Sequence, residues 1–331
     1  MNVADLLSAP AGAFVTQAVL HALVAFAIVE RAVRSWKIRS PVVEQRFRLI
    51  VVLFPVVSYP LYQLIDPDRG SIVFRLQTLF DSGRWLALEL WGRVPLGWLF
   101  VAALLVTSLL FLIQELMPVA RHALSPARPG VRKLAGRLYP RIAAALAALP
   151  GKKPEVFVIE DLRPMIYSTS GRNTEIILSS ALQEALTGEQ MKAALAHEIA
   201  HTARSRRPLL IAAFLVRVLL FFNPVVLLEF RRIVQIEEKI CDDIAAGLSQ
   251  APLALAETLR TFYLRGEQAP PAGGGKPAGA AASLEEYSHR LNLQSRVRRL
   301  ERGGETAGAE AWVVKFLVTA GAVGVINYFV V

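Results

Sequence analysis

The chain has 331 residues, 54% of them apolar, with a mean hydropathy of +0.42, which is too apolar for a soluble protein of this length and indicates a membrane protein. Its formal charge of +10 comes from lysines and arginines gathered between apolar runs, as cytoplasmic loops carry them, and no aromatic-basic motif accompanies them, so no nucleic-acid partner is expected. The single cysteine, Cys241, excludes an internal disulfide and reads as a buried, inert thiol.

The first apolar run is long and lacks a basic n-region, so it is expected to stay as an anchor rather than be cleaved. Residues 11–29 carry no formal charge and are closed by Glu30-Arg31-Ala32-Val33-Arg34, which makes a first span, with His21 facing the bundle. The loop to Arg48 carries Arg31, Arg34, Lys37, Arg39 and Arg46 as well, which places it in the cytoplasm and the amino terminus outside. A second span follows over 49–65, where Pro55 and Pro60 are tolerated in a bilayer, and it ends at the turn Asp66-Pro67-Asp68-Arg69-Gly70. Residues 72–91 mix apolar and charged positions, as expected of an amphipathic helix at the outer surface. The third span, 94–113, holds no charge at all.

After Pro118 basic residues spread among alanine and leucine predict a cytoplasmic helical segment ending near Pro150-Gly151. Residues 155–159, 165–169 and 174–178 then read as short strands, the last two joined by the turn Ser170-Gly171-Arg172-Asn173. An edge strand at this point can hold an extended peptide by pairing with it.

The chain's chemistry concentrates in Ala194-Leu195-Ala196-His197-Glu198-Ile199-Ala200-His201. On a helix, His197 and His201 fall about 40° apart and can grip one divalent ion, while Glu198 sits beside it, placed to take a proton from water: the pattern of zinc-dependent peptide hydrolysis. Thr187-Gly188-Glu189-Gln190 has the form of a capping box and sets the start of that helix. Residues 209–222 are apolar apart from Arg217 and would span about 21 Å, short of a core of about 30 Å. A third ligand must return to the histidines' side, so the stretch is expected to bend at Asn223-Pro224 as an apolar hairpin. Beyond it, Glu238 and Asp242 share a helix face, so Glu238, in preference to Glu237, can complete a site of two histidines and one carboxylate, and Asp242 can support an imidazole from behind. Without the histidine motif the same stretch would read as a solvated charged face.

His197-Glu198-Ile199-Ala200-His201, Phe222-Asn223-Pro224 and Glu238-Lys239-Ile240-Cys241-Asp242 together resemble the membrane metallopeptidase domain of the BlaR/MecR-type sensor-transducers, over about Val156 to Ala246. The resemblance implies a mainly α membrane protein: about four transmembrane helices and a re-entrant or short hairpin around a gluzincin-like α+β peptidase domain with a small sheet. It also implies one zinc ion per chain on His197, His201 and Glu238, Glu198 as general base, and Asp242 as support. A looser similarity to the HtpX and CAAX prenyl endopeptidases makes His289 and Arg296 candidates for stabilising an oxyanion. The His-Pro of those enzymes is absent here, and the two residues read otherwise as surface or lipid-headgroup contacts.

The glycine, proline and alanine run 266–283 is expected to be a flexible linker or lid, 284–310 a basic helix and 311–331 a final transmembrane helix. With 1–117 as an amino-terminal membrane region of three spans and 118–265 as the peptidase domain including the hairpin 208–230, the chain reads as a multi-pass protein of a cell inner membrane. Both termini would lie outside and the active site would face the cytoplasm. Expected partners are the bilayer and a cytoplasmic or membrane-proximal protein substrate; the sequence sets no oligomeric state. An HtpX-like quality-control protease and a non-catalytic zinc-binding scaffold are the alternatives. The sensor-transducers continue beyond the last helix into an extracytoplasmic ligand-binding domain that this sequence does not contain, so drug sensing of that kind is not expected.

Overall fold

The computed structural model describes residues 3–117, 132–134, 139–162, 164–169, 174–204, 208–268, 292–303 and 312–331, a mainly helical chain with two small sheets. It divides into two compact units, one of 1–126, 208–236 and 307–331, the other of 127–207 and 237–306.

Among the described residues of the first unit, three helices are long and apolar enough to cross a membrane, Pro10–Ser35, Pro41–Ile65 and Leu96–Glu115, the last ending in a π turn. The first two run past their expected limits, so the basic loop shrinks to 36–40: Pro41 occupies the opening turn of its helix, where a missing N–H costs nothing. The expected fourth span is the shorter apolar helix Trp312–Tyr328, of 17 residues. His21 does face the bundle, with Nδ1 2.7 Å from the Ser58 hydroxyl and Nε2 3.1 Å from the Val330 carbonyl.

Residues 72–91 do not form one amphipathic helix. Ser71 and Asp81 cap two short ones, Ile72–Arg75 and Ser82–Leu86, and the hairpin β1 (Glu89–Leu90) and β2 (Val94–Pro95) follows. The backbone between the helices pairs elsewhere: Leu79 N–H donates to Phe329 O at 2.9 Å, and Val331 N–H to Phe80 O at 2.9 Å. A helix through this region would forfeit those bonds.

The apolar run after Pro208 is helical to Leu219 and broken at Asn223. The Asn223 side-chain oxygen accepts from Val225 and Val226 N–H, and its amide donates to Ala18 O at 3.0 Å. The next helix does not stop at 230. It runs unbroken over Pro224–Ser249, so the expected second arm of the hairpin and the acidic helix are one element, residues to 236 belonging to the first unit and those from 237 to the second.

The second unit has a four-stranded sheet in the order β3 (Arg132–Leu134), β4 (Glu155–Ile159), β6 (Glu175–Ser179) and β5 (Ile166–Thr169). β4 and β6 are parallel; β3 and β5 are antiparallel edge strands. β3 lies within the stretch expected to be helical, where its three-residue antiparallel pairing with β4 outweighs local helix preference. The helix Pro140–Ala147 falls in that stretch as expected. Turn 170–173, most of the linker 266–283 and Ser288-His289-Arg290 lie outside the described residues; the helix Pro252–Gln268 enters the linker's first three positions.

The second unit's core is apolar side chains of the sheet, Val156, Val158, Ile176 and Leu178, packed with Ile142, Leu182, Met191, Leu195 and Leu255. Ala193, Ala194, Ala196 and Ala200 are almost wholly buried on the helix Gly188–Arg204, and their small side chains let Pro140–Ala147 and Pro252–Gln268 pack closely on it.

Candidate metal centre

The helix Gly188–Arg204 begins where its capping box predicts. Thr187 N–H donates to the Gln190 side-chain oxygen at 3.0 Å, and Gln190 N–H donates back to the Thr187 hydroxyl at 3.3 Å. Two to three turns on, His197 and His201 share a face, their rings nearly perpendicular and their Nε2 atoms 3.0 Å apart.

The helix Pro224–Ser249 brings Glu238 to the same point. Its carboxylate oxygens lie 3.6 Å from His197 Nε2 and 3.5 Å from His201 Nε2. Glu237 points elsewhere: both its oxygens are taken by Arg204, the second at 2.7 Å. Among the described residues, His197, His201 and Glu238 form the group of ligand-type side chains whose donor atoms fall within 4.8 Å of one another. A tetrahedral ion with bonds of about 2.1 Å sets its ligand atoms about 3.4 Å apart; here the two nitrogens are 3.0 Å apart, and the two Glu238 oxygens lie 3.6 Å from one nitrogen (Oε2 to His197) and 3.5 Å from the other (Oε1 to His201), close to that value. Two imidazole nitrogens and a carboxylate oxygen are also the donor set a borderline divalent ion takes, so these residues fit a zinc-type cation.

Behind the ring of His197, Asp242 places Oδ1 3.1 Å from Nδ1, a close contact in which the N–H is not aligned for a hydrogen bond. Asp242 is held by Arg296 through a fork of two bonds, 2.6 and 2.8 Å, and Arg296 also reaches a Glu238 oxygen at 3.1 Å. Cys241 Sγ lies 3.5 Å from His201 Nδ1, and burial together with the neighbouring carboxylates pushes its thiol up to about 12, which makes it unreactive.

The two imidazoles are shifted in opposite directions. Burial pulls His197 down, but Asp242 and Glu238 beside it more than compensate and hold it up at about 9. His201 is lowered by burial and by the positive charge on His197. Arg296 and the histidines overcome burial to hold Asp242 and Glu238 below the usual carboxylate range.

Glu198 is buried on the histidine helix one residue past His197, and its charge acts on His201. Arg296 is not a surface or headgroup residue. Its side chain is 11% exposed and engaged with Asp242 and Glu238, whose charge-assisted bonds outweigh the burial of the guanidinium. Sequence reasoning missed this role, and also the contact of Cys241 with His201. A single cue existed for the first: Arg296, Val297 and Leu300 share a helical spacing that turns Arg296 inward with two core residues.

Residues 91–252 match the family model described as BlaR1 peptidase M56, a span that includes His197, Glu198, His201, Glu238 and Asp242. No curated protein matches the chain.

Proposed function

We propose, for a chain whose residues 91–252 match the BlaR1 peptidase M56 model, that it is a membrane-associated zinc endopeptidase of the gluzincin kind acting on a cytoplasmic or membrane-proximal protein in regulatory signalling. The observation that carries the reading is the meeting of two Nε2 atoms from one helix and the Glu238 carboxylate from another, at separations that suit a single cation.

His197, His201 and Glu238 would hold one zinc ion. When bound, the ion supplies Lewis acidity and brings the ionisation of water to near neutral pH. Glu198, next to His197 but outside the donor set, accepts a proton from the attacking water and passes it to the leaving amine. Asp242 lies against the back of the His197 ring, where its negative charge favours a proton on Nδ1 and leaves Nε2 toward the ion site. Arg296 holds Asp242 and Glu238 in place from behind, a positioning role in place of the oxyanion role considered for it. His289 stays a candidate for the oxyanion. β5 is a sheet edge packed beside the histidine helix, so a substrate segment can add to it as a further strand. Basic residues between the first two apolar helices favour an inner-membrane protein with this site toward the cytoplasm.

The test is Glu198→Gln. It should leave zinc content at one ion per chain and reduce cleavage of a cytoplasmic protein substrate by at least a hundredfold. Undiminished proteolysis would remove Glu198 from its role. Bound zinc with no cleavage by the unaltered protein would favour a structural zinc site.

A further inference from the structure

The first unit holds a second feature, well separated in sequence from the histidine motif: a cavity of about 270 Å³ lined by Thr16, Gln17, Arg75 and Ser82 on its polar side and by Leu7 and Leu86 on its apolar side. It is a little below the volume of a typical drug-sized site.

Its polar groups are unusually poised. Thr16 is 3% exposed, yet its hydroxyl has no hydrogen-bond partner. A buried hydroxyl left unmet is unfavourable and uncommon in a settled interior. Gln17 is oriented by Arg69, whose Nη1 donates to the Gln17 side-chain oxygen at 2.9 Å. A guanidinium has no acceptor, so the oxygen must face it, and the amide N–H groups are the donors left over. Arg69 is itself fully buried, with its other donors on the carbonyls of Asn327, Tyr328 and Val330. Arg75 stands at the rim, its Nη1 4.0 Å from Asp81. Gly83 lets it lie there, since a Cβ at that position would come within 3.2 Å of the guanidinium. The lining side chains are thus a cation, an amide donor and an unmet hydroxyl over an apolar floor, with no acidic side chain among them.

We propose that this cavity binds a small amphiphile with a single negative head, of the class of a short-chain monocarboxylate. The head would take hydrogen bonds from Thr16 and Gln17 and the charge of Arg75, and the tail would lie against Leu7 and Leu86. This goes beyond the peptidase reading, and its test does not use proteolysis.

The experiment is calorimetric titration of the full-length protein in lipid nanodiscs with octanoate, octanol and octylamine. Octanoate is expected to bind saturably and at least about tenfold more tightly than octanol, with octylamine weakest. Arg75→Gln, at a side chain 42% exposed, should weaken octanoate about tenfold and leave octanol unchanged. Thr16→Val should also weaken octanoate while raising the melting midpoint of the ligand-free protein, because it removes a hydroxyl that has no partner. Equal binding of the three probes would reduce the cavity to an apolar cleft and overturn the proposal. So would absence of saturable octanoate binding, as when a bilayer acyl chain already fills the space, or an affinity unchanged in either variant.

Discussion

At the scale of single residues, the site is a set of five charged or chargeable groups, His197, His201, Glu238, Asp242 and Arg296, that offset one another without an ion. His197, held at about 9, is in its doubly protonated, charged form at neutral pH in the metal-free protein, while His201 is pushed toward its neutral form. A cation needs that nitrogen as a lone pair, so zinc must displace the proton. Binding at pH 7.5 is therefore expected to release about one proton, measurable as the dependence of the calorimetric enthalpy on buffer ionisation heat. A buffer-independent enthalpy would show that His197 is already neutral. His197 is raised above its ordinary 6.5, so its contribution to the metal-free fold is complete below about 6.5 and is lost as pH rises through about 9. Asp242 acts on the same ring from behind. Asp242→Asn removes the charge that orients His197 and holds Arg296, and it should weaken zinc binding about 10–100-fold by competition against a chelator. Unchanged affinity would leave Asp242 as packing only. The ligand face of this arrangement was legible, because a spacing of four on a helix dictates a shared face whatever surrounds it. The choice of Glu238 over Glu237 rested on that same spacing, Glu238 being four before Asp242. Arg296 was not legible, because nothing local distinguishes a basic residue that meets solvent from one that folds back on two carboxylates 54 and 58 positions earlier.

Among the elements, those specified by their own termini were readable and those specified by distant partners were not. The histidine helix announces itself through Thr187 and Gln190, whose side chains close the orphan donors of its first turn. Thr187→Ala should accordingly cost about 1 kcal/mol and lower the melting midpoint by a few degrees without altering zinc stoichiometry. A variant as stable as the parent would mean that packing by the buried alanines alone holds the helix start. Strands β4 and β6 declare themselves through β-branched runs, and Asn223-Pro224 through an asparagine that caps the helix it precedes. By contrast β3 exists because β4 offers it an edge, and 72–91 is broken because its backbone bonds to 329–331. Neither partner is visible in a local window. The merging of the hairpin's second arm with the acidic helix follows from a negative fact, the lack of any breaker between Pro224 and Ser249.

At the scale of the molecule, the basic excess that accompanies this chain's apolar runs is not all spent on facing lipid headgroups. In the first unit Arg48, counted at the sequence level as part of a cytoplasmic basic loop, is 8% exposed and lies between Glu44 at 2.8 Å and Glu229 at 3.0 Å, the latter 1% exposed. Glu30 and Arg232 extend the network, so it joins the first two long helices to Pro224–Ser249. Burying charges is costly, and such a network persists only while each member has its counterion. Removing one member is then worse than removing a pair. Glu229→Leu leaves Arg48 with Glu44 and Glu30 but deprives it of its most buried partner, which should cost on the order of 3 kcal/mol and lower the melting midpoint in detergent micelles. Arg48→Met together with Glu229→Leu replaces the buried pair by apolar groups of similar reach and should recover most of that loss, a coupling that shows as non-additivity of the two single changes. If the double variant is as unstable as the sum of the singles, the network does not act as a unit. Its charges would then be independent anchors on their separate helices, as the positive-inside pattern alone would have them.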